Sequence, residues 1–441
     1  MRGTGADLPE HHSVLIVGGG PAGLSLAVTL GGYHPYYRPA TGFSSRFAQL
    51  DGYLRTHSGS LLDLDFRSLV TAGVPPVDLF RLLHHPGQGF QGLQQIALEF
   101  RKADPHDYLL LSQEPVGGVW NNAPEHLLTL SPGHWMELAF YPLVQYAQET
   151  GLKLDPNALI SKRNLIDYYH AIPDRFGQTD RLRTNEQVVW ITPHKRGFLV
   201  TSHQTDTGEE RQYTCVYLLY AVGQRCKLRR LEVPGEDLSF VSNRYDTPDS
   251  VPGERVVVVG GGRSSDWAAT ELYDAGKQVT YVMRQTEAHH WSLIGDSRHG
   301  LPYYTRIAAI LESRDPRFQT LYGTRVRRFD ATPTGNQVTV ADAAGERVLA
   351  VDQAILEIGG VADYSLIQGF PPLGLVEKYD NYRFQCHQLP IHPHSYESTQ
   401  IPNLYPGGYL AEGIGLVVIA MHGTTYAIAG DILKKVRQSV A

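Results

Sequence analysis

Three cysteines in 441 residues, Cys215, Cys226 and Cys386, are too few for a disulfide framework, and no two stand in a CxxC pair. A small secreted scaffold and a dithiol redox centre are both excluded on that ground, and the usage is that of a reducing compartment. Charge of one sign is also scarce. With 39 Lys and Arg against 45 Asp and Glu, the net charge of −6 leaves no footprint for nucleic acid or an anionic membrane. The opening residues, MRGTGADLPEHH, carry neither the basic region nor the apolar run of a signal peptide. The one stretch long enough to suggest a membrane span, Val14 to Leu30, is broken by Gly18-Gly19-Gly20-Pro21 and reads as strand, turn and helix. Nineteen histidines are scattered without zinc-ligand spacing, so no metal is expected. Serine triads and paired catalytic carboxylates are missing too. The expectation is a cytoplasmic protein without nucleic-acid or membrane partners, with a homo-oligomer left open.

What is present is a repeated phrase. Residues 14–25 read VLIVGGGPAGLS and residues 256–267 read VVVVGGGRSSDW. Each joins a run of branched apolar residues to a glycine cluster and then to an apolar helical pattern. In the first copy Gly18, Gly20 and Gly23 form GxGxxG: a tight turn, bare backbone where a pyrophosphate approaches, and close helix–strand packing. Pro21 and Ala22 open a helix whose unpaired N–H groups face the phosphates. An acidic residue that binds the adenosine ribose normally closes the next strand, about twenty residues on. None appears here before Asp51. Asp107–Ser112 (DYLLLS) reads as that strand, with residues 40–105 inserted before it and Gln113 or Glu114 near the acidic position. A short strand at Tyr33–Arg38 is the alternative.

In the second copy Gly260 and Gly262 precede Ser265, a small residue in the third glycine's packing place, with Arg263 and Ser264 between them. The following strand, QVTYVMR, ends in Arg284. An arginine there suits a ribose 2′-phosphate and points to NADPH over NADH. Arg263 is a second candidate for that phosphate or for the pyrophosphate. Both copies continue alike. VVWIT, FLVTSH and TCVYLLYAVG follow the first; TRVRRF, QVTVAD and AILEIGG follow the second. A chain this long holds two or three domains. The expected fold class is α/β, with two Rossmann-like dinucleotide-binding domains, the NADPH domain inserted into the FAD domain. The expected boundaries are 1–235, 236–350 and 351–441. In the last part Gly413 and Gly415 precede a long apolar helix, a second N-terminus suited to a flavin.

GGGPAG at 18–23, GGVW at 117–120, YAVG at 220–223, PGED at 234–237 and GGGRSSDWA at 260–268 give the chain its resemblance to the class B-type flavoprotein monooxygenases. That group contains the flavin-containing monooxygenases and the lysine and ornithine N-hydroxylases. GGYHPY, LLHHPGQGF and GGVWNNAPEHLLTLSPGHWMEL, at 31–36, 82–90 and 117–138, bring it closer to the oxidative stress-induced growth inhibitor family. The resemblance implies FAD and NADPH as cofactors. It places Gly117, Gly118, Val119 and Trp120 at the isoalloxazine, with Gly223 at the domain crossover, where the valine of YAVG replaces the family's threonine. FVSNRYDTP puts Asn243 and Arg244 where Baeyer–Villiger enzymes have a histidine, which favours heteroatom oxygenation. The implied reaction is hydroxylation of a small-molecule amine nitrogen by dioxygen, through a C4a-hydroperoxyflavin. His134, Trp135, Asn243, His289, His290 and Trp291 are the substrate-pocket candidates. A flavin-binding regulatory protein and an NADPH oxidase remain as alternatives. A disulfide reductase fails for want of paired cysteines.

Overall fold

The computed structural model describes residues 8–85, 96–379, 385–415 and 418–440. It is an α/β protein with parallel sheets, and the chain divides into two compact units. The first comprises residues 1–121, 131–226 and 362–441; the second comprises 122–130 and 227–361. The sequence-based boundaries at 235/236 and 350/351 therefore fall inside the second unit. Two local causes are visible. Pro234 accepts a hydrogen bond from the amide of Phe329, which ties PGED to the second unit. The Gln353–Leu356 strand pairs with Arg255–Gly260 inside that unit's sheet, so residue 350 lies short of its edge.

The first unit is built on a seven-stranded sheet. Glu10–Val17 lies at its centre, parallel to Tyr108–Leu111 on one side and to Glu210–Tyr220 on the other. Val14 to Val17 are buried on both faces, as an unbroken apolar run in a parallel sheet requires. DYLLLS is thus the neighbour strand that the sequence indicates. Tyr33–Tyr37 is also a strand, but it pairs antiparallel with Leu98–Lys102 in a separate ladder. The described residues between those two strands include helices Thr41–Ser44, Ala48–Thr56, Phe66–Thr71 and Pro76–His84. The Glu210–Tyr220 strand is long enough to serve twice. Its first half closes an antiparallel meander with Gly197–Gln204 and Glu186–His194, and its end pairs with Leu404–Pro406. Helix Pro21–Leu30 is buried from Ala22 onward, the signature of a core helix with no solvent face.

The second unit repeats the plan with its parts separated. Five parallel strands run in the order Val241–Ser242, Gln353–Leu356, Arg255–Gly260, Gln278–Met283, Phe318–Leu321. The meander Arg325–Thr332, Gly335–Asp342, Gly345–Val351 forms a sheet of its own. Helices Arg263–Asp274, Glu287–Ser297 and Pro302–Ser313 complete the unit. No helix among the described residues is long and apolar enough to cross a membrane.

Candidate functional site

In the first unit the turn after Val17 is held by backbone alone. Gly18 has φ +117°, and a Cβ there would stand 2.3 Å from the Ala221 carbonyl oxygen. A Cβ on Gly23 would fall 1.9 Å from the Gly18 oxygen, so this glycine is fixed by packing. Gly20 differs. A Cβ there would meet only Gly118 Cα, at an ordinary 3.7 Å, so nothing in the protein itself demands glycine. Gly20 also caps helix Pro21–Leu30 without a side-chain hydrogen bond, and the first turn carries no acidic residue. Pro21 has no N–H to satisfy at this position. The following amides and the positive end of the helix dipole are left for an anion. This is a cradle that a side chain would fill, and it fits a dinucleotide pyrophosphate.

The second glycine stretch closes on the first. Gly117 donates its N–H to the Gly19 oxygen at 2.8 Å, and a Cβ on Gly118 would stand 2.9 Å from Gly20 Cα. Two motifs read a hundred residues apart thus form one backbone surface. Val119 is 57 % exposed, and Trp120 is half-buried against the unit's core. At the strand end, just before Gln113 and Glu114, stands Ser112, whose Oγ would lie 2.6 Å from a Cβ on Gly19. Gln113 is exposed and Glu114 half-buried. Gly223 has φ +82° in open space. Gly413, φ +84°, donates its N–H to Gln388 Oε1, and Gly415 is exposed three residues before the first residue of helix Val418–Val440.

The second unit's turn is built differently. Ser265 Oγ accepts the amides of Gly261 and Gly262 at 2.7 and 3.0 Å, and a Cβ on Gly260 would collide with Ser265 Cβ at 2.3 Å. Ser265 is therefore the tie that holds the turn, a role that its reading as a packing substitute missed. Behind it, Tyr281 Oη lies 2.8 Å from Ser265 Oγ and 2.7 Å from Asp266 Oδ1, and His290 Nε2 lies 2.8 Å from the same Asp266 oxygen. Burial pushes the Tyr281 hydroxyl well above its ordinary range, so it acts as a neutral donor. Arg263 is buried, with its guanidinium 5.3 Å from the Tyr304 ring centroid. Ser264 is half-buried. Arg284 is exposed directly after strand Gln278–Met283, and no hydrogen bond or ion pair engages it among the described residues.

The pocket candidates are divided between the units. His134 is buried in the first, its Nδ1 2.9 Å from the Pro156 oxygen, with Trp135 half-buried beside it. His290 is fully buried in the second and engaged by Asp266; Trp291 is half-buried and His289 exposed. Asn243, half-buried, has a buried Oδ1 with no partner among the described residues. Both buried histidines are thus enclosed by their own units. The structure also assembles a group that spacing did not reveal: His84, His85 and Glu137, all buried. The adjacent histidines were the signal available, but their carboxylate lies 53 positions away. Cys215 and Cys386 are buried and Cys226 is exposed, and none of the three is in a disulfide. Burial raises the Cys215 thiol above its ordinary range, away from thiolate chemistry.

Residues 87–408 match a protein family described as pyridine nucleotide-disulphide oxidoreductase. Human oxidative stress-induced growth inhibitor 1 is 24% identical over 98% of this chain and 97% of its own length. A Caenorhabditis elegans homolog of the oxidative stress induced growth inhibitor is 28% identical over 62% of this chain and 66% of its own. Among solved structures, bacillithiol disulfide reductase from Staphylococcus aureus superposes with a TM-score of 0.64 at 17% identity, covering 97% of this chain and 99% of that one. The reduced form of ornithine hydroxylase from Pseudomonas aeruginosa gives 0.60 at 16% identity, covering 96% and 99%. At these identities the structural likenesses are likenesses of fold.

Proposed function

The chain belongs to the pyridine nucleotide-disulphide oxidoreductase family, and from that premise we propose that it is an NADPH- and FAD-dependent monooxygenase hydroxylating an amine nitrogen of a small molecule. The family is one of flavoproteins that take a pyridine nucleotide, and this chain is a flavin-dependent oxidoreductase of that family. The observation that carries the finer reading is the bare cradle of Gly18, Gly20, Gly23, Gly117 and Gly118. With the cradle intact, we read dioxygen as the acceptor of the reduced flavin's electrons.

Bound FAD would accept hydride from NADPH and activate dioxygen; that chemistry is the cofactor's. The chain's residues bind and orient. The Gly18–Gly23 turn and the N-terminus of Pro21–Leu30 would hold the pyrophosphate. Gly117 and Gly118 let the ring approach bare backbone. In the second unit Ser265 fixes the glycine turn that would hold the coenzyme phosphates, and Arg284 would meet a 2′-phosphate with a charge-assisted hydrogen bond. The protein's remaining task is to keep water from the activated oxygen. The overall balance is amine, dioxygen, NADPH and a proton giving hydroxylamine, water and NADP⁺.

Labelled dioxygen tests this. With a panel of amino acids, diamines and polyamines as substrates, the label is expected in the hydroxylamine product, with NADPH consumed one for one. Stoichiometric hydrogen peroxide with every amine, and no labelled product, would overturn the hydroxylase reading in favour of an NADPH oxidase.

A further inference from the structure

Helix Pro76–His84 buries Leu79, Phe80 and Leu83, and His84, four residues after Phe80, falls on the same apolar stripe. The helix stops there. His85 leaves it with φ −130° and ψ 81°, so two consecutive imidazoles come to stand side by side, their ring centres 4.1 Å apart. Facing them is Glu137, which is 2 % exposed. One of its oxygens is already committed: Oε2 accepts the amide of Leu143 at 2.8 Å and so caps helix Leu143–Thr150. The other, Oε1, is turned toward both histidines, 3.0 Å from His84 Nε2 and 4.0 Å from His85 Nε2.

We propose that His84, His85 and Glu137 form a binding site for a divalent metal ion of the zinc class, in the first unit. Two imidazole nitrogens and one carboxylate oxygen are a donor set that zinc takes. Their donor atoms all lie within 4.8 Å of one another. Ligands at 2.0–2.1 Å on a tetrahedral ion stand about 3.4 Å apart, a value between the two observed separations. The capped Oε2 is the outer hydrogen bond that orients a ligating carboxylate and leaves Oε1 for the ion. A hydrogen bond accounts for His84 and Glu137 as a pair. A second imidazole, His85, comes within 4.0 Å of the same oxygen, with its Nε2 also 3.1 Å from the His134 oxygen. Ligation would replace two contacts, His84 Nε2 with Glu137 Oε1 and His85 Nε2 with the His134 oxygen at 3.1 Å. The ion would pin the end of the Pro76–His84 helix to the segment carrying Glu137.

The test uses the untagged full chain, stripped with a chelator, titrated with zinc and analysed for metal after gel filtration. The wild type is expected to keep one zinc per chain, with X-ray absorption showing two imidazole ligands. Glu137→Gln keeps an acceptor for the Leu143 amide, and His85→Asn keeps a donor toward the His134 oxygen, so both are expected to fold. Each is expected to bind zinc more weakly by over about tenfold, the least that loss of even an outer partner costs. Circular dichroism checks the fold, and flavin content reports on the glycine turn independently. A wild type that keeps no zinc, or folded variants that keep as much as it does, would reduce the group to a hydrogen-bonded trio and overturn the proposal.

Discussion

At Gly20 and Gly23 one residue type meets two different constraints, and the two can be separated experimentally. A side chain on Gly23 runs into the Gly18 oxygen at 1.9 Å, a backbone atom that cannot move without opening the turn. Gly23→Val is therefore expected to lower stability by about 1–3 kcal/mol or more, the usual cost of overpacking, and to lose flavin with it. Gly20→Val meets no such obstacle in the protein. It is expected to melt near the wild type while eluting colourless from a column equilibrated with FAD. Thermal melts beside flavin absorbance separate the cases, and a yellow, stable Gly20→Val would remove the pyrophosphate from this turn. Arg284 is the complementary position, exposed and so dispensable to the fold. Arg284→Ala is expected to raise KM for NADPH about tenfold, at the low end for a charged hydrogen bond because solvent screens it. KM for NADH should barely change; an equal rise with both coenzymes would assign Arg284 to another task.

Between elements, a carboxylate staple holds the meeting of helices Leu143–Thr150 and Lys162–Arg175. Arg175 grips Glu149 with Nε and Nη2, each at 2.9 Å, while Tyr141 donates to Oε2 and Gln145 to Oε1. These donors, Arg175 above all, bring Glu149 down to about 2 from its ordinary 4.5. A carboxylate whose pKa is lowered by folding adds stability above its unfolded value and loses it as pH falls toward the folded one. Glu149→Gln should thus melt below the wild type at neutral pH, with the gap narrowing as pH drops from about 4.5 toward 2. A gap that is constant with pH would show that the staple works by shape and not by charge. The same scale shows what could be read in advance. The glycine turns and the Tyr108–Leu111 strand were legible because their signals are local, a few residues of fixed spacing. Ser265 was legible as a residue but not as a tie, because it accepts the Gly261 and Gly262 amides only once the turn has closed, and Tyr281 reaches it only when the sheet forms. His84 and Glu137 meet across 53 positions, and no periodicity in either segment points to the other.

For the molecule as a whole, residues 227–361, the larger segment of the second unit, are an insertion with its two ends together. Leu228 pairs with Gly360 in a short antiparallel ladder, and just outside it the Asp363 amide donates to Cys226 Sγ at 3.2 Å. Paired strands stand about 4.8 Å apart, a gap that a two-residue turn spans. The hydrophobic cores respect the same division. Two clusters draw only on residues of the first unit, and the cluster around Phe240, Val257 and Val338 draws only on the second. A chain lacking residues 229–359, with Leu228 joined to Gly360 through Asn-Gly, is therefore expected to fold as the first unit, with residues 122–130 left as a solvent loop. It should remain yellow, because the cradle of Gly18, Gly20, Gly23, Gly117 and Gly118 lies wholly within that unit. Dithionite should bleach its flavin, whereas NADPH should not, since Arg284 and the Gly260–Ser265 turn are gone. The measurement is flavin absorbance under anaerobic addition of each reductant. Bleaching by NADPH would place the coenzyme site in the first unit and overturn the assignment of one nucleotide to each. A colourless aggregate would show that the first unit's core depends on the second after all, against the separation of their buried clusters.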